Sequence, residues 1–195
     1  MYPISVCIIT KNEEKNIARC LSSISSYGFE IIVVDTGSTD NTKAIAAEYA
    51  DKVLDFVWVN DFSAARNFSL SQAGYDYVLI LDSDEVVLSL DLEAIGQLIA
   101  KHPGEVGLIA RDNHYISNQT DTVYQDHVER LFNRKLYHYE SPIHEQVVNN
   151  SSGMQYKSYD IPLLVDHIGY TGTPEELRAK VERNNALLLK ELEKD

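Results

Sequence analysis

Short segments that are apolar at nearly every position and end in polar or acidic residues recur along the first half of the chain. Residues 30–35 and 77–82 are the clearest of these segments, and residues 5–10 have the same character. A strand without polar alternation is typically buried on both faces, as in a parallel sheet that helices cover. Helical patterns separate the segments, and the resulting β-α-β-α succession predicts parallel strands joined by crossover helices. We therefore expect an α/β fold with a mainly parallel central sheet flanked by helices.

Weaker patterns complete the predicted order of elements. In the first half we expect further strands at 53–59 and 106–110, and helices at 12–25, at 62–73, at 90–100 and over a stretch that ends near residue 49. The second half opens with a polar stretch of little periodicity, 111–125, and continues with strand-like pieces at 128–132, 136–139, 143–148 and 159–165. Such short pieces predict a smaller antiparallel region. A last amphipathic helix is predicted from Thr173, as its N-cap, onward.

Charge and cysteine content exclude several classes of protein. With 17 Lys and Arg against 30 Asp and Glu in 195 residues, the net charge of −13 argues against a nucleic-acid partner, which needs clustered basic residues. The two cysteines, Cys7 and Cys20, form no C-x-x-C pair, so we exclude a zinc ribbon and expect small core side chains. The chain shows no signal-peptide pattern and no apolar run of the ~20 residues that a membrane span needs. We expect a cytoplasmic protein, with the inner membrane face as a second expected location.

Polar residues that follow the predicted strands are candidates for a binding site. Ligands of open parallel α/β sheets bind at the carboxyl ends of the strands, and these ends carry Thr10, Asn12, Asp35, Asp82 and Asp84. The spacing of Asp82 and Asp84 predicts two carboxylates on one side of a strand end, about 7 Å apart. Carboxylates gathered at one edge repel each other unless a cation joins them, and oxygen ligands suit Mg²⁺ or Mn²⁺. The alternative is that these acids cap turns and helices.

Four segments resemble, in residues, order and spacing, the successive motifs of family 2 inverting glycosyltransferases: VCIITKNEE at 6–14, IIVVDTGSTDNT at 31–42, FSAARNF at 62–68 and LILDSDE at 79–85. Arg130-Leu-Phe, Ile143-His-Glu-Gln and His167-Ile-Gly-Tyr are similar to a bacterial subset of that family. The subset includes lipopolysaccharide-core glucosyltransferases and the peptide S-glycosyltransferases of glycocin synthesis. The resemblance covers residues 4–170 and implies the GT-A fold, which is Rossmann-like. We therefore predict a GT-A domain over 1–172 and, over 173–195, a helix that begins a C-terminal extension.

The resemblance also implies the ligands of the site. It implies a nucleotide-sugar donor, with a UDP-sugar favoured, and Mn²⁺ or Mg²⁺ as cofactor. The residues that match the donor site are Thr10, Asn12, Glu13, Asp35, Arg66, Asn67 and Asp82. The residues that match the metal site are Asp82, Asp84 and His167. Asp84 is expected to be the direct metal ligand. Arg66 is expected near the nucleobase and the diphosphate of the donor, a role that suits a guanidinium.

An inverting transferase needs one general base beside the acceptor nucleophile. Glu145, within Ile143-His-Glu-Gln, is the predicted base, and Glu140 and Asp126 are the reserve candidates. The expected acceptor is a glycan, a lipid-linked group or a peptide that offers a hydroxyl or a thiol. A homodimer, if one forms, is expected to use the C-terminal extension.

Two other functions fit parts of the sequence. Residues 77–87 match the strand-D-x-D-x-[TV] nucleophile motif of haloacid-dehalogenase-type phosphatases, although that motif normally falls near the start of a chain. A catalytically degenerate nucleotide-sugar-binding module would keep the acidic pair but would have no acid facing the donor.

Overall fold

Strands and helices alternate through the first half of the chain, as the sequence predicts. A computed structural model describes residues 3–117, 120–151, 154–170 and 174–192. The helices are α1 (Ile17–Ile24), α2 (Thr42–Ala46), α3 (Phe62–Gln72), α4 (Leu92–Lys101) and α5 (Pro174–Leu192). The strands are β1 (Ile4–Thr10), β2 (Glu30–Asp35), β3 (Lys52–Asp55), β4 (Tyr77–Asp82), β5 (Glu85–Leu90), β6 (Val106–Ser117), β7 (Thr120–Asn133), β8 (Tyr137–Glu140), β9 (Gln146–Asn149) and β10 (Ser158–Tyr170).

The strands form one large sheet and one small sheet. The order in the large sheet is β3-β2-β1-β4-β7-β6-β10-β5, and β8 and β9 form the small antiparallel sheet. The first four strands of that order are parallel neighbours. β7 is antiparallel to β4 and β6, β10 is parallel to β6, and β5 is antiparallel to β10. The predicted α/β fold, with a mainly parallel sheet and an antiparallel region in the second half, is confirmed.

The register of the parallel strands brings predicted site residues together. Thr10 at the end of β1 pairs with Asp35 at the end of β2. On the other side of β1, Ile9 pairs with Asp82 at the end of β4. The carboxyl ends of these three strands therefore lie side by side at one edge of the sheet.

The central strand β1 is buried on both faces because its side chains alternate between two apolar layers. Val6 packs in one layer with Leu21 of α1. Cys7 packs in the opposite layer with Leu70 of α3 and with residues of β8 and β9, so α3 and the small sheet cover the same face of the large sheet. Cys7 and Cys20 are buried and unbridged, as expected, and burial raises the pKa of Cys7 to about 12.

The chain after β1 departs from the predicted pattern. The sequence predicts Asn12 as a helix N-cap, but α1 begins at Ile17 and Asn16 precedes it. Asn12 has a positive φ of 54°, which a short polar side chain tolerates, and its Oδ1 accepts a hydrogen bond from the Thr39 N–H. Asn12 therefore holds the loop after β2 instead of starting a helix. β3 is also shorter than predicted and ends at Asp55 instead of residue 59.

The predicted strands at 106–110 and 128–132 belong to β6 and β7, which form a hairpin that extends beyond them into the polar stretch. Arg111 pairs with Asp126 and Asp112 pairs with Gln125 across the two strands, and each pair is joined by side-chain hydrogen bonds. Such pairs stabilise a hairpin without the apolar alternation that reveals a strand in a sequence. β5 is likewise absent from the sequence prediction, because it follows β4 almost directly and lies at the edge of the sheet.

The last helix, α5, begins at Pro174, in agreement with the predicted start. Its predicted N-cap, Thr173, and residues 193–195 lie outside the described residues. No helix within the described part of the chain is long and apolar enough to span a bilayer.

Candidate active site

The carboxyl ends of β1 and β2 form a polar cradle, made of Thr10 and Asp35. The two residues are only 4% and 1% exposed. Asp35 Oδ1 accepts hydrogen bonds from the backbone N–H groups of Gly37 and Ser38, which fixes the turn after β2. Asp35 Oδ2 and Thr10 Oγ1 are buried and have no hydrogen-bond partner among the described residues. Because unpaired buried polar atoms cost free energy, the cradle is suited to a ligand that supplies hydrogen bonds.

Asn12 and Glu13 hold the loop after β2 against the end of β1. Asn12 Oδ1 accepts a hydrogen bond from the Thr39 N–H at 2.8 Å. The Glu13 N–H donates to Thr42 Oγ1 at 2.7 Å. The structure thus brings both predicted donor-site residues next to the cradle, and the Asn12 side chain supports the loop there.

Asp82, at the end of β4, has a side chain that is 26% exposed and contacts a network of buried charged residues. Asp82 Oδ1 accepts a hydrogen bond from Arg66 Nη2 at 2.8 Å, and Asp82 Oδ2 accepts one from Arg130 Nη2 at 2.6 Å. Burial acts to raise the pKa of Asp82, but the positive charges of Arg130 and Arg66 outweigh it and hold that pKa well below its ordinary value. Asp82 is therefore ionised, and both of its oxygens are engaged by guanidinium groups.

Arg66 and Asn67, neighbours on α3, contact the segment that carries the predicted base. The side chain of Asp61 caps the N-terminus of this helix. Arg66 Nε donates to Glu145 Oε1 at 2.6 Å, and its guanidinium carbon lies 5.5 Å from the centre of the Tyr139 ring. Asn67 Nδ2 donates to the Tyr139 carbonyl and Asn67 Oδ1 accepts from the Tyr139 N–H, both at 2.8 Å. Both residues thus contact protein groups next to the predicted base.

The three candidate bases have different surroundings. Glu145 is bound to Arg66, and its side chain is 15% exposed. The side chain of Glu140 is 59% exposed and pairs with His138. Burial acts to raise the pKa of Asp126, but hydrogen bonds from Arg111 and Asn113 outweigh it and lower that pKa. Glu145 shares Arg66 with Asp82, whereas Asp126 pairs with Arg111, whose Nη1 lies 3.7 Å from Glu85 Oε1.

Asp84 and His167, two of the predicted metal ligands, lie close together and could contribute to a cation site. His167 Nε2 lies 3.5 Å from Asp84 Oδ2, and the side chains are 8% and 15% exposed. His167 Nδ1 lies 2.8 Å from Asn113 Oδ1, while Asn113 Nδ2 donates to Asp126 Oδ1. This bond places the proton of a neutral His167 ring on Nδ1, so Nε2 keeps its lone pair towards Asp84, as in metal-ligating histidines.

The two carboxylates of the D-x-D pair do not share one set of contacts. β4 ends at Asp82 and residues 83–84 form a turn, so the predicted strand spacing does not extend to Asp84. Asp82 is bound to two arginines, and within the described residues no group of three or more His, Cys, Asp or Glu side chains could hold a metal ion. Asp84 and His167 would therefore hold a cation together with oxygen atoms of a bound ligand.

Arg130, Glu85 and Asn113 are site residues that the sequence did not single out. Arg130 Nη2 donates to Glu85 Oε1 at 2.9 Å, and Glu85 Oε2 accepts a hydrogen bond from the Asp82 N–H. Burial raises the pKa of Glu85, which is 0% exposed. Two signals were available: Glu85 directly follows the D-x-D pair, and Arg130 stands in a family-like motif.

Comparison with known proteins identifies the family. Residues 5–168 match the model of glycosyl transferase family 2. A TPR repeat-containing protein of Synechococcus elongatus is 33% identical over 93% of this chain and 48% of its own length. The SPbeta prophage-derived glycosyltransferase SunS of Bacillus subtilis is 29% identical over 93% of this chain and 43% of its own length. The chain thus spans about half the length of these curated relatives.

A solved structure supports the same assignment. Residues 1–349 of S. aureus TarS, in complex with UDP-GlcNAc, superimpose with a TM-score of 0.52 and 29% identity, over 62% of this chain and 37% of that chain. The family match includes residues 77–87, so the phosphatase interpretation of that segment is wrong. The chain belongs to glycosyl transferase family 2.

Proposed function

We propose that this chain is a hexosyltransferase domain that moves a sugar from a nucleoside diphosphate donor to an acceptor hydroxyl or thiol, with inversion at the anomeric carbon. The observation that carries the proposal is the cradle of Thr10 and Asp35, whose unpaired polar atoms lie buried at neighbouring strand ends. The TarS structures with UDP and with UDP-GlcNAc support a UDP-sugar as the donor.

The chemistry of the cradle matches the edge of a uracil ring. That edge carries a ring N–H between two carbonyl oxygens. Asp35 Oδ2 is an acceptor for the N–H, and the Thr10 hydroxyl is a donor for a carbonyl, so each unpaired atom would gain a partner. Cytosine carries no hydrogen on the corresponding ring nitrogen, so the cradle favours UDP over CDP.

Asp84 and His167 would hold Mn²⁺ or Mg²⁺ beside this cradle. A bound cation would supply positive charge to the diphosphate leaving group. The net charge of the chain is −13, and Arg66 and Arg130 at the end of β4 are already paired with acids, so a cation would add the positive charge that a diphosphate needs there. Asn113 keeps His167 in the tautomer that a metal ligand needs.

Glu145 acts as the general base in this proposal. Its carboxylate is partly exposed, so an acceptor can reach it, and Arg66 fixes one of its oxygens. Glu145 takes the proton of the acceptor as the acceptor attacks the anomeric carbon on the face opposite the diphosphate. A glycan, a lipid-linked group or a peptide would serve as acceptor, at the cytoplasmic side of the membrane or in the cytoplasm.

A donor panel tests the proposal without knowledge of the acceptor. UDP-, GDP- and CDP-sugars are incubated with the chain and Mn²⁺, and slow donor hydrolysis is followed. Calorimetry with UDP and CDP measures binding in parallel. We expect hydrolysis of one or more UDP-sugars and tighter binding of UDP than of CDP. Equal binding of both nucleotides, or hydrolysis confined to other nucleotides, would contradict the assignment of the cradle.

A further inference from the structure

We propose that Arg66 and Asn67 are positioning residues, which hold the β8–β9 segment and its Glu145 in place over the carboxyl end of β4. The inference rests on the proposed function, because it takes Glu145 as the base. It assigns Arg66 a role other than the nucleotide contact that the family resemblance implies.

Arg66 joins two acids that are far apart in the chain. Its Nε donates to Glu145 Oε1, just before β9, and its Nη2 donates to Asp82 Oδ1, at the end of β4. The arginine side chain is 8% exposed. Burial acts to lower the pKa of Arg66, but Asp82 and Glu145 outweigh it and raise that pKa well above its ordinary value. A single rigid guanidinium thus fixes the base relative to the main sheet.

The side chain of Asn67 binds the backbone of the same segment. Its side-chain amide makes two hydrogen bonds to the N–H and carbonyl of Tyr139, the pair of bonds that a neighbouring strand would make. One helical turn earlier, the Phe62 N–H donates to the Pro142 carbonyl. The N-terminal half of α3 therefore docks three successive points of the segment 139–145.

The segment between β8 and β9 needs such support. Ser141 and His144 have positive φ angles of 74° and 53°, which non-glycine residues adopt at a cost. The last pair of the small sheet is Glu140 with Gln146, so residues 141–145 lie outside its regular pairing. Contacts from α3, together with the buried side chain of Ile143, hold this connection and therefore Glu145 in one conformation.

The rival role for Arg66 is a direct contact with the donor. Arg66 Nη1 is buried and has no partner among the described residues, so a donor oxygen could use it. The two roles differ in what they predict. A donor contact supports nucleotide affinity, whereas a positioning residue supports the rate of transfer.

Three variants separate these roles: Arg66→Gln, Arg66→Lys and Asn67→Ala. We expect Arg66→Gln to lower kcat about 10²-fold, the effect of a misplaced catalytic group, with KM for the donor and UDP affinity changed by less than about twofold. Arg66→Lys should recover part of kcat, since its ammonium can still reach one of the acids. Ser71→Ala, on the exposed side of the same helix, is the matched control and should behave as the wild type.

Two further measurements keep the test independent of folding and of the proposed function. The double variant Arg66→Gln/Glu145→Gln should lose no more than Glu145→Gln alone, because Arg66 acts through Glu145. Amide hydrogen exchange should rise at residues 139–146 in Asn67→Ala and Arg66→Lys and stay unchanged in β1. Additive losses, a UDP affinity that falls about tenfold with normal kcat, or unchanged exchange at 139–146 would overturn the proposal. If the exchange rises but Glu145→Gln keeps full transfer, the positioning of the segment is supported and the assignment of Glu145 as the base fails.

Discussion

Asp82 and Asp84 are separated by one residue, yet their carboxylates contact different partners. Asp82 is bound to two guanidinium groups, whereas Asp84 lies 3.5 Å from His167 Nε2. The turn at residues 83–84 separates the two side chains. One acid therefore orders the interior of the site, and the other is the candidate ligand for a cation.

Asp84→Asn should weaken the metal-dependent part of UDP binding by about tenfold or more, because the cation would lose its charged ligand. Calorimetric titration of UDP, with Mn²⁺ and with EDTA, measures this part directly. Asp76→Asn is the matched control, because it removes one negative charge at the opposite end of β4, where Asp76 pairs with Lys135. An Asp84→Asn protein that keeps the full difference between Mn²⁺ and EDTA would exclude Asp84 as the ligand.

Asp35→Asn should weaken the preference of the cradle for UDP over CDP. Asp35 Oδ1 accepts from the N–H groups of Gly37 and Ser38, so the amide oxygen of Asn takes this place. The amide NH₂ then replaces Oδ2 and faces the ring N–H of uracil, donor against donor. We expect UDP affinity to fall about 10- to 100-fold, the range for a lost hydrogen bond to a charged group, while CDP loses less. Equal losses for both nucleotides would show that Asp35 does not contact the nucleobase.

The sequence predicts best those strands whose own residues show the pattern of a strand, without reference to a neighbouring segment. β2 and β4 are continuously apolar because helices and the small sheet cover both faces, and their bounds match the predicted ones. The strands at 106–110 and 128–132 are predicted and fall within β6 and β7, but the extension of the hairpin into 111–125 is not predicted, because Arg111 and Asp126 satisfy each other across the two strands. Such pairing exists only once the two strands meet, so the polar part of each strand shows no apolar period.

The site residues also divide into those whose position one segment predicts and those whose position depends on contacts between segments. Thr10 and Asp35 stand at strand ends, so the topology of a parallel sheet places them together. The contact of Arg66 with Glu145 joins residues 79 positions apart, and it depends on how the small sheet docks on α3. Asn67 is a predicted donor-site residue, but both functional groups of its amide bind the Tyr139 backbone. A motif identifies such residues as important but does not distinguish a ligand contact from a supporting one.

Glu30 lies away from the site and is expected to make the stability of the fold depend on pH in the acidic range. It accepts hydrogen bonds from the Ser5 hydroxyl, from Lys52 Nζ at 2.9 Å and from the Gly74 N–H at 2.7 Å. Burial acts to raise the pKa of Glu30, but these bonds outweigh it and lower that pKa below 4.5. An acid with a lowered folded pKa stabilises the fold above its unfolded pKa, and this stability is lost as the pH falls through the folded value.

Glu30→Gln should therefore cost about 1–2 kcal/mol of unfolding free energy at neutral pH, and progressively less as the pH falls below the unfolded pKa of an ordinary Glu. Urea unfolding of the two proteins at neutral pH and at several acidic pH values measures the difference. A difference that stays constant across this range would show that the charge of Glu30 does not stabilise the fold.

Glu145→Gln should keep donor and metal binding but lose transfer. Gln retains an oxygen that accepts from Arg66 Nε, so the segment stays in place while the proton acceptor is removed. Loss of a general base typically costs ~10²–10⁴ in rate, which a transfer assay with a UDP-sugar and a hydroxyl acceptor resolves easily. Glu140→Gln is the matched control, because Glu140 lies at the far end of the same connection and is 59% exposed.

The kind of acceptor decides how large this loss should be. A thiol ionises far more readily than a hydroxyl, so it needs less help from a base. We expect Glu145→Gln to lose much of its rate with hydroxyl acceptors and less with thiol acceptors, at unchanged UDP affinity. Near-normal transfer to hydroxyls by Glu145→Gln, together with a loss in Glu140→Gln or Asp126→Asn, would move the base to that acid. A large loss of UDP affinity in Glu145→Gln would instead show that Glu145 supports donor binding, since a base that acts on the acceptor makes no contact with the nucleotide.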